Sequence, residues 1–304
     1  MKSLHVNTRF HLAGHEQGVF AHLVNRAAFI DRIEISLRGQ RFDWLRAPET
    51  AEPELRITAD CPIGGKNGWY GRLMHAVNDD GNAVTLKYGV RGAGKRFQNV
   101  PPIRLGLRAV GAPVTAQQIA EAIGTFMAHT DSARISLVEF SFDIRSARSV
   151  DVAKQVFARA HRFRELIDEQ GRFTTYFGSP RSAVQTRVYQ KTCEIVRVEF
   201  VLRNEFLQSF GVVSPEHLTR LREVPWWKYL RFMEYRKNWH RLLAKQIQRS
   251  SDWRSRIVFE WPLCSGSLEL FEQMLIDEGI EPSRILRESA LQRRLRAMQS
   301  KAVL

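Results

Sequence analysis

A chain of 304 residues, 44% of them hydrophobic, carries enough apolar side chain for the core of one large domain or two smaller ones. Its 46 lysines and arginines outnumber 32 acidic residues, a formal net charge of +14, which selects a polyanionic partner: nucleic acid first, an anionic membrane surface second. Cys61, Cys193 and Cys264 are too few and too scattered for a disulfide framework or a zinc site, and no stretch approaches ~18 uncharged apolar residues, so a reduced, cytoplasmic protein without a membrane span is expected.

In chain order, residues 1–27 form a lead-in without a clear pattern. From Phe29 the text reads as strands, "FIDRIEISLRG" and then "PELRITADCP". "GWYGRLMHAVNDDGNAVTLKYGVRG" reads as a hairpin turning at Asn-Asp-Asp-Gly-Asn. "TAQQIAEAIGTFMAHT" has helical spacing, with Thr115 as N-cap. "SARISLVEFSFDIRS" follows as a strand, and "SVDVAKQVFARAHRFRELIDEQG" as a helix ended by Gly171. Two strands come next, around Thr174–Phe177 and Gln185–Lys191, then a tight turn and the strand in "EIVRVEFVLRNEFLQSFG". The pattern predicts an α+β fold: a mainly antiparallel central sheet with helices on one face. The character changes near residue 212. "SPEHLTRLREVPWWKYLRFMEYRKNWHRLLAKQIQRS" and "RILRESALQRRLRAMQSK" read as aromatic and basic helices, giving a sheet domain at 28–212 and a basic helical region at 213–304.

Because side chains alternate across a strand, each segment splits into two faces. In "ISLVEFSFDIR", Val138, Phe140, Phe142 and Ile144 form a core face, and Glu139, Ser141, Asp143 and Arg145 the other. In "EIVRVEFVLR" the core face is Val196, Val198, Phe200 and Leu202, opposite Arg197, Glu199, Val201 and Arg203. "QTRVYQK" places Arg187, Tyr189 and Lys191 on one face, so a phenol stands between two cations. If the three polar faces coincide, they make one site on the open side of the sheet. Carboxylate oxygens suit a hard divalent ion, Mg²⁺ or Mn²⁺, which would polarise a phosphodiester. A phenol with a pKa of ~10 is a weak nucleophile at neutral pH, and neighbouring cations favour its phenolate.

"TTYFGSPRSAVQTRVYQK…IVRVEFVLRNEFL" resembles the signature of rolling-circle replication initiation factors of plasmids and filamentous phages: T-x-Y-x-G-S-R-x-S, then R-x-Y-D-K, then R-x-E-x-x-L-R. "ISLVEFSFDIR" resembles that family's R-x-D-x-x-x-D strand, and the motifs cover residues 135–211 in the family's order. The resemblance implies a metal-dependent origin nickase, its catalytic domain at 28–212, with Tyr189 as nucleophile and Glu139, Asp143 and Glu199 on the acidic metal-binding strands. Arg187, Lys191, Arg197 and Arg203 match basic positions of the motifs. Phosphate contact is inferred for them, and for Arg181 in place of the interrupted G-S-R arginine. Gln190 stands where the family has Asp, Glu139 where Asp is usual, and Pro180 interrupts G-S-R. The expected partners are single- and double-stranded origin DNA, with a host helicase and the host polymerase by resemblance, in the cytoplasm of a bacterial host; a homodimer is compatible. A relaxase of a mobile element and a non-catalytic DNA-binding regulator are the alternatives.

Other features receive plainer roles. Tyr176, the second tyrosine of the signature, is assigned to packing or to lining a DNA groove. "GVRGAGKR" imitates a phosphate-binding loop, but Arg96 follows Lys95 where Ser or Thr is required, so it reads as a basic loop. No H-x-H pair is present to hold a metal, which leaves that task to the acids. Trp226, Trp227, Trp239 and Trp253 read as core among basic residues that can track phosphates.

Overall fold

The computed structural model describes residues 28–38, 55–63, 69–78, 81–91, 100–101, 103–110, 113–127, 132–145, 149, 152, 156–158, 163–167, 173–224, 230–236, 268–277, 279–302 and 304. The strands in chain order are β1 (Phe29–Arg38), β2 (Leu55–Pro62), β3 (Tyr70–Asn78), β4 (Ala83–Val90) and β5 (Ile103–Arg108). They continue with β6 (Ser132–Arg145), β7 (Val156–Ala158), β8 (Phe163–Ile167), β9 (Phe173–Phe177), β10 (Val184–Thr192) and β11 (Ile195–Arg203). β12 (Leu230–Tyr235) and β13 (Leu286–Glu288) complete them. The helices are α1 (Ala116–Met127), α2 (Asn204–Ser209), a 3₁₀ helix (Pro215–Arg222), α3 (Leu268–Asp277), α4 (Pro282–Ile285) and α5 (Ala290–Gln299). Ten strands join one sheet in the order β2-β3-β4-β5-β1-β6-β11-β10-β9-β8, and β13-β12-β7 form a smaller one. The fold is α+β, built on a large antiparallel sheet, as the strand and helix patterning predicts.

The described residues fall into two compact units. One comprises 28–141, 200–224 and 302–304; the other comprises 142–199 and 225–301, so the division runs inside β6 and β11. The expected segments 28–212 and 213–304 do not map one-to-one onto these units.

In the first unit, alternation makes the sheet two-faced. Ile33, Ile35 and Leu37 of β1, Leu105 and Leu107 of β5, and Val84 and Leu86 of β4 are all buried on one side. Each such side chain removed from water contributes roughly 1.5–3 kcal/mol. The hairpin between β3 and β4 turns within the Asn-Asp-Asp-Gly-Asn run, as expected. Gly81 adopts a positive φ of 75°, and the backbone N–H of Asn82 donates to Asn78 Oδ1 at 2.8 Å. α1 opens with a capping box: Gln118 N–H donates to Thr115 Oγ1 (3.2 Å), and Thr115 N–H donates back to Gln118 Oε1 (3.0 Å). Its buried positions Ile119, Ala122 and Ile123 recur at helical spacing.

In the second unit, β9 and β10 form a hairpin in the register Arg187↔Tyr176 and Tyr189↔Thr174. Its connection leaves β9 through Gly178, whose φ of 92° is open to glycine but strained for other residues. Ser179 organises the turn: its N–H donates to Ser182 Oγ (3.0 Å) and its carbonyl accepts from Ser182 N–H (3.0 Å).

Three expected helices are corrected. The stretch from Ser149 to Gly171 contains β7 and β8, and β8 pairs with β9 from Phe163↔Phe177 to Ile167↔Phe173. Without β8, β9 would present a row of unpaired backbone groups, and satisfying that edge outweighs local helix propensity. Leu230–Tyr235, read as part of a long helix, is a strand between β7 and β13 with Phe232 fully buried; its aromatic content suits a strand. The closing helix begins later than expected, at Ala290, where Ser289 Oγ accepts from Gln292 N–H at 3.0 Å. The expected helix over 237–250, most of the tryptophans and residues 92–96 of the basic loop Gly89–Arg96 lie outside the described residues.

Candidate active site

Tyr189, Arg187 and Glu199 come together on β10 and β11. Val188 is fully buried on the core face of β10, which leaves Arg187 and Tyr189 half-buried on the opposite face. Tyr189 Oη donates to Glu199 Oε2 at 3.1 Å, and Arg187 Nη1 donates to Glu199 Oε1 at 2.7 Å. Glu199 is only 2% exposed, so its charge requires compensation, and each oxygen has a donor of its own. The arrangement gives a phenol a carboxylate within proton-transfer distance and an arginine beside it.

Asp143 and Arg197 form a separate, closed pair. Arg197 Nε and Nη2 donate to Asp143 Oδ1 and Oδ2 at 2.7 and 3.0 Å, with both side chains buried. This bidentate geometry engages both carboxylate oxygens. The sequence reading gave Asp143 to a metal and Arg197 to phosphate; the structure pairs them with each other instead.

The acids that do converge are Asp31, Glu139 and Glu199. All three are buried, and each offers a carboxylate oxygen within 4.8 Å of the others, so the cluster can hold a metal ion. Two oxygens on opposite sides of an ion at ligand distances of about 2.1–2.6 Å stand about 4.2–5.2 Å apart, which brackets that span. Two further observations fit a cation. Three like charges buried this closely repel one another. Ser141 Oγ, fully buried two residues beyond Glu139 on the same strand face, has no hydrogen-bond partner among the described residues. Arg32 supplies part of the compensation, 3.5 Å from Glu139, while also bonding Glu34.

Asp31 escaped the sequence reading because it sits at an irregularity. The register of β1 against β6 shifts between Ile30 and Arg32, so Asp31 falls outside the alternation of its strand. A signal was present: Phe29 and Ile30 are consecutive core residues, and the period-two pattern resumes only at Ile33. The polar face was also expected to be open. Instead Glu139, Asp143, Arg197 and Glu199 are each under 5% exposed, so the charged groups satisfy one another inside the protein.

The remaining expected contacts are dispersed. Arg181 and Lys191 are exposed at opposite ends of the β10 hairpin arm, and Arg203 is half-buried where β11 meets α2. Tyr176, directly opposite Arg187 on β9, shares the face of Tyr189. Gln190 points away from Tyr189. Its Nε2 donates to the carbonyls of Thr192 (2.7 Å) and Ile195 (3.2 Å), and its Oε1 accepts from Ser149 N–H (3.0 Å). An ionised Asp has no donor for those carbonyls, which accounts for the amide here.

No helix among the described residues is long and apolar enough to cross a membrane. Compared with known proteins, the chain matches no family model and no curated protein.

Proposed function

We propose that the protein is a metal-dependent DNA nickase that starts rolling-circle replication, with Tyr189 as nucleophile. The observation that carries this reading is the hydrogen bond from the Tyr189 phenol to the buried Glu199 carboxylate, with Arg187 on the other oxygen. Tyr189 Oη attacks a phosphorus atom, its proton passes to Glu199, and the P–O3′ bond breaks. The 5′-phosphate stays on the tyrosine, and the departing 3′ oxygen takes a proton from water to become a primer end. Arg187 beside the phenol favours the anionic forms of both the tyrosine and the phosphate. A divalent ion, Mg²⁺ or Mn²⁺, held by Asp31, Glu139 and Glu199 would polarise the scissile phosphate. The tyrosyl phosphodiester conserves the linkage energy, so a later attack by a 3′-OH rejoins the strand. Origin DNA, a host helicase and a host polymerase are the partners of this reading, and the bacterial cytoplasm is its setting.

The second reading, a non-catalytic DNA-binding regulator on the same fold, draws on one feature. Asp143, Glu139 and Glu199 each already face an arginine: Arg197, Arg32 and Arg187. The two readings separate in a single experiment. Supercoiled plasmid carrying the replicon segment that encodes the chain is incubated with Mn²⁺ and wild-type, Tyr189→Phe or Tyr176→Phe protein. Wild type and Tyr176→Phe should nick and leave a nucleotide adduct on the Tyr189 peptide by mass spectrometry; Tyr189→Phe should do neither. Nicking that persists in Tyr189→Phe, or binding by wild type without nicking, sinks the proposal.

A further inference from the structure

The sheet of the unit formed by 28–141, 200–224 and 302–304 has a second face, opposite its apolar core, that reaches the acidic cluster only at Glu139. The strand registers align its side chains in rows across the strands. One row runs Arg56↔Val77, Val77↔Ala83, Ala83↔Arg108, Arg108↔Arg32 and ends at Glu139. Four residues along the strands, a parallel row runs Leu73↔Lys87, Lys87↔Arg104, Arg104↔Ser36 and Ser36↔Arg134. Neighbouring strands are about 4.8 Å apart, so cations on adjacent strands can meet successive charges of one polymer.

The row between them is low. Thr85 and Gly106 are its members on β4 and β5, flanked by His75 on β3 and by Glu34 on β1, which pairs with Arg32 and Arg104 of the rims; Thr85 Oγ1 donates to the Gly106 carbonyl at 3.3 Å. A Cβ at Gly106 would come within 2.7 Å of that hydroxyl, so glycine lets the threonine lie flat. The result is a shallow trough with cationic rims.

Four of the rim residues lack internal acids. Among the described residues no ion pair or hydrogen bond engages the side chains of Arg56, Lys87, Arg108 or Arg134; three of the four are exposed and Lys87 is half-exposed. Within the rims, Leu73 beside Lys87 and Val77 between Arg56 and Arg108 are only half-buried, and Trp69, just before β3, is 56% exposed. Apolar and aromatic surface between cations is what unpaired bases stack on, whereas reading a duplex needs an element that projects into a groove.

We infer that this trough binds single-stranded DNA, with phosphates on the unpaired cations of the rims and bases against the apolar side chains between those cations. The first row ends at Glu139, so a strand lying along it is led toward the acidic cluster. Insofar as that strand is the substrate, the assignment rests on the nicking reading; the binding itself does not.

The test is fluorescence anisotropy with a fluorescein-labelled single-stranded oligonucleotide of mixed sequence, in EDTA so that no cleavage occurs. The variant carries Arg56→Glu, Lys87→Glu, Arg108→Glu and Arg134→Glu. It should bind at least about tenfold more weakly, and its log–log salt slope should fall by about 3, at ~0.7 for each phosphate no longer neutralised. The matching Arg→Lys and Lys→Arg variant should bind as wild type does. Independently of any variant, photocrosslinking of wild type to a bromouridine-substituted strand should label peptides within 56–108. Unchanged affinity in the Glu variant, crosslinks confined to other peptides, or equal affinity for the matching duplex would overturn the inference. Trough-dependent binding by a wild-type protein that never nicks would sink the nicking reading alone.

Discussion

Asp143 and Arg197 illustrate how a buried charge is held. Each is removed from water, each finds the other through two hydrogen bonds, and neither is left for a ligand. Arg197→Ala leaves Asp143 buried without its cation and is expected to cost about 3–5 kcal/mol in urea unfolding. The double replacement Asp143→Leu with Arg197→Met should recover much of that loss, because an apolar pair removes the stranded charge. A milder case lies near the edge of the sheet, where Arg72 binds both oxygens of Asp60 at 3.3 and 2.8 Å and Tyr88 Oη donates to Asp60 at 2.7 Å. The Arg72 hydrogen bond, followed by that of Tyr88, holds the Asp60 carboxyl below its ordinary range despite some opposing burial. A carboxyl depressed in the folded state adds stability above its unfolded pKa, and that contribution fades as pH falls through the folded value. Because the pair is solvent-exposed, the stability change will be small, so the reporter is the carboxyl itself. Its NMR titration midpoint should sit below that of an unpaired Asp and move up in Arg72→Gln.

The elements divide by where their cause lies. α1 is locally encoded: its Thr115–Gln118 capping box is a four-residue device, and Thr115→Ala should lower stability by about 1 kcal/mol in thermal or urea unfolding. The β3–β4 hairpin and the β9–β10–β11 run were legible for the same reason, since turn residues and strict alternation are short-range signals. β8 and β12 were not. "FRELI" and "LRFMEY" mix charged and apolar residues in a way that satisfies either period; the strand state of the first follows from pairing with the next strand, β9, and that of the second from β7 and β13, both distant in sequence. Gln190 stood out in the sequence as an amide where the resemblance expects Asp, but its targets, the carbonyls of Thr192 and Ile195 and the N–H of Ser149, depend on how the loops close.

At the scale of the whole molecule, the candidate site was readable to the extent that it follows strand alternation. Tyr189, Arg187, Glu139 and Glu199 were found because each obeys that rule, and Asp31 was missed because a register shift breaks it. That exchange of Asp31 for Asp143 makes a prediction about metal binding that does not depend on activity. An ion that binds the folded chain and not the unfolded one stabilises it by RT ln(1 + [L]/Kd), about 2.7 kcal/mol at a hundredfold excess over Kd. Mn²⁺ should therefore raise the melting temperature of wild type, and EDTA should reverse the shift. Asp31→Asn and Glu139→Gln each remove one ligand charge from the cluster and should abolish the response. They should also relieve repulsion among the three acids, leaving the metal-free protein no less stable than wild type. Asp143→Asn should behave in the opposite way, melting lower because Arg197 loses its counter-ion yet still responding to Mn²⁺. A Mn²⁺ response that survives in Asp31→Asn and disappears in Asp143→Asn would restore Asp143 as the ligand, and the acids would then have to rearrange from the positions seen here.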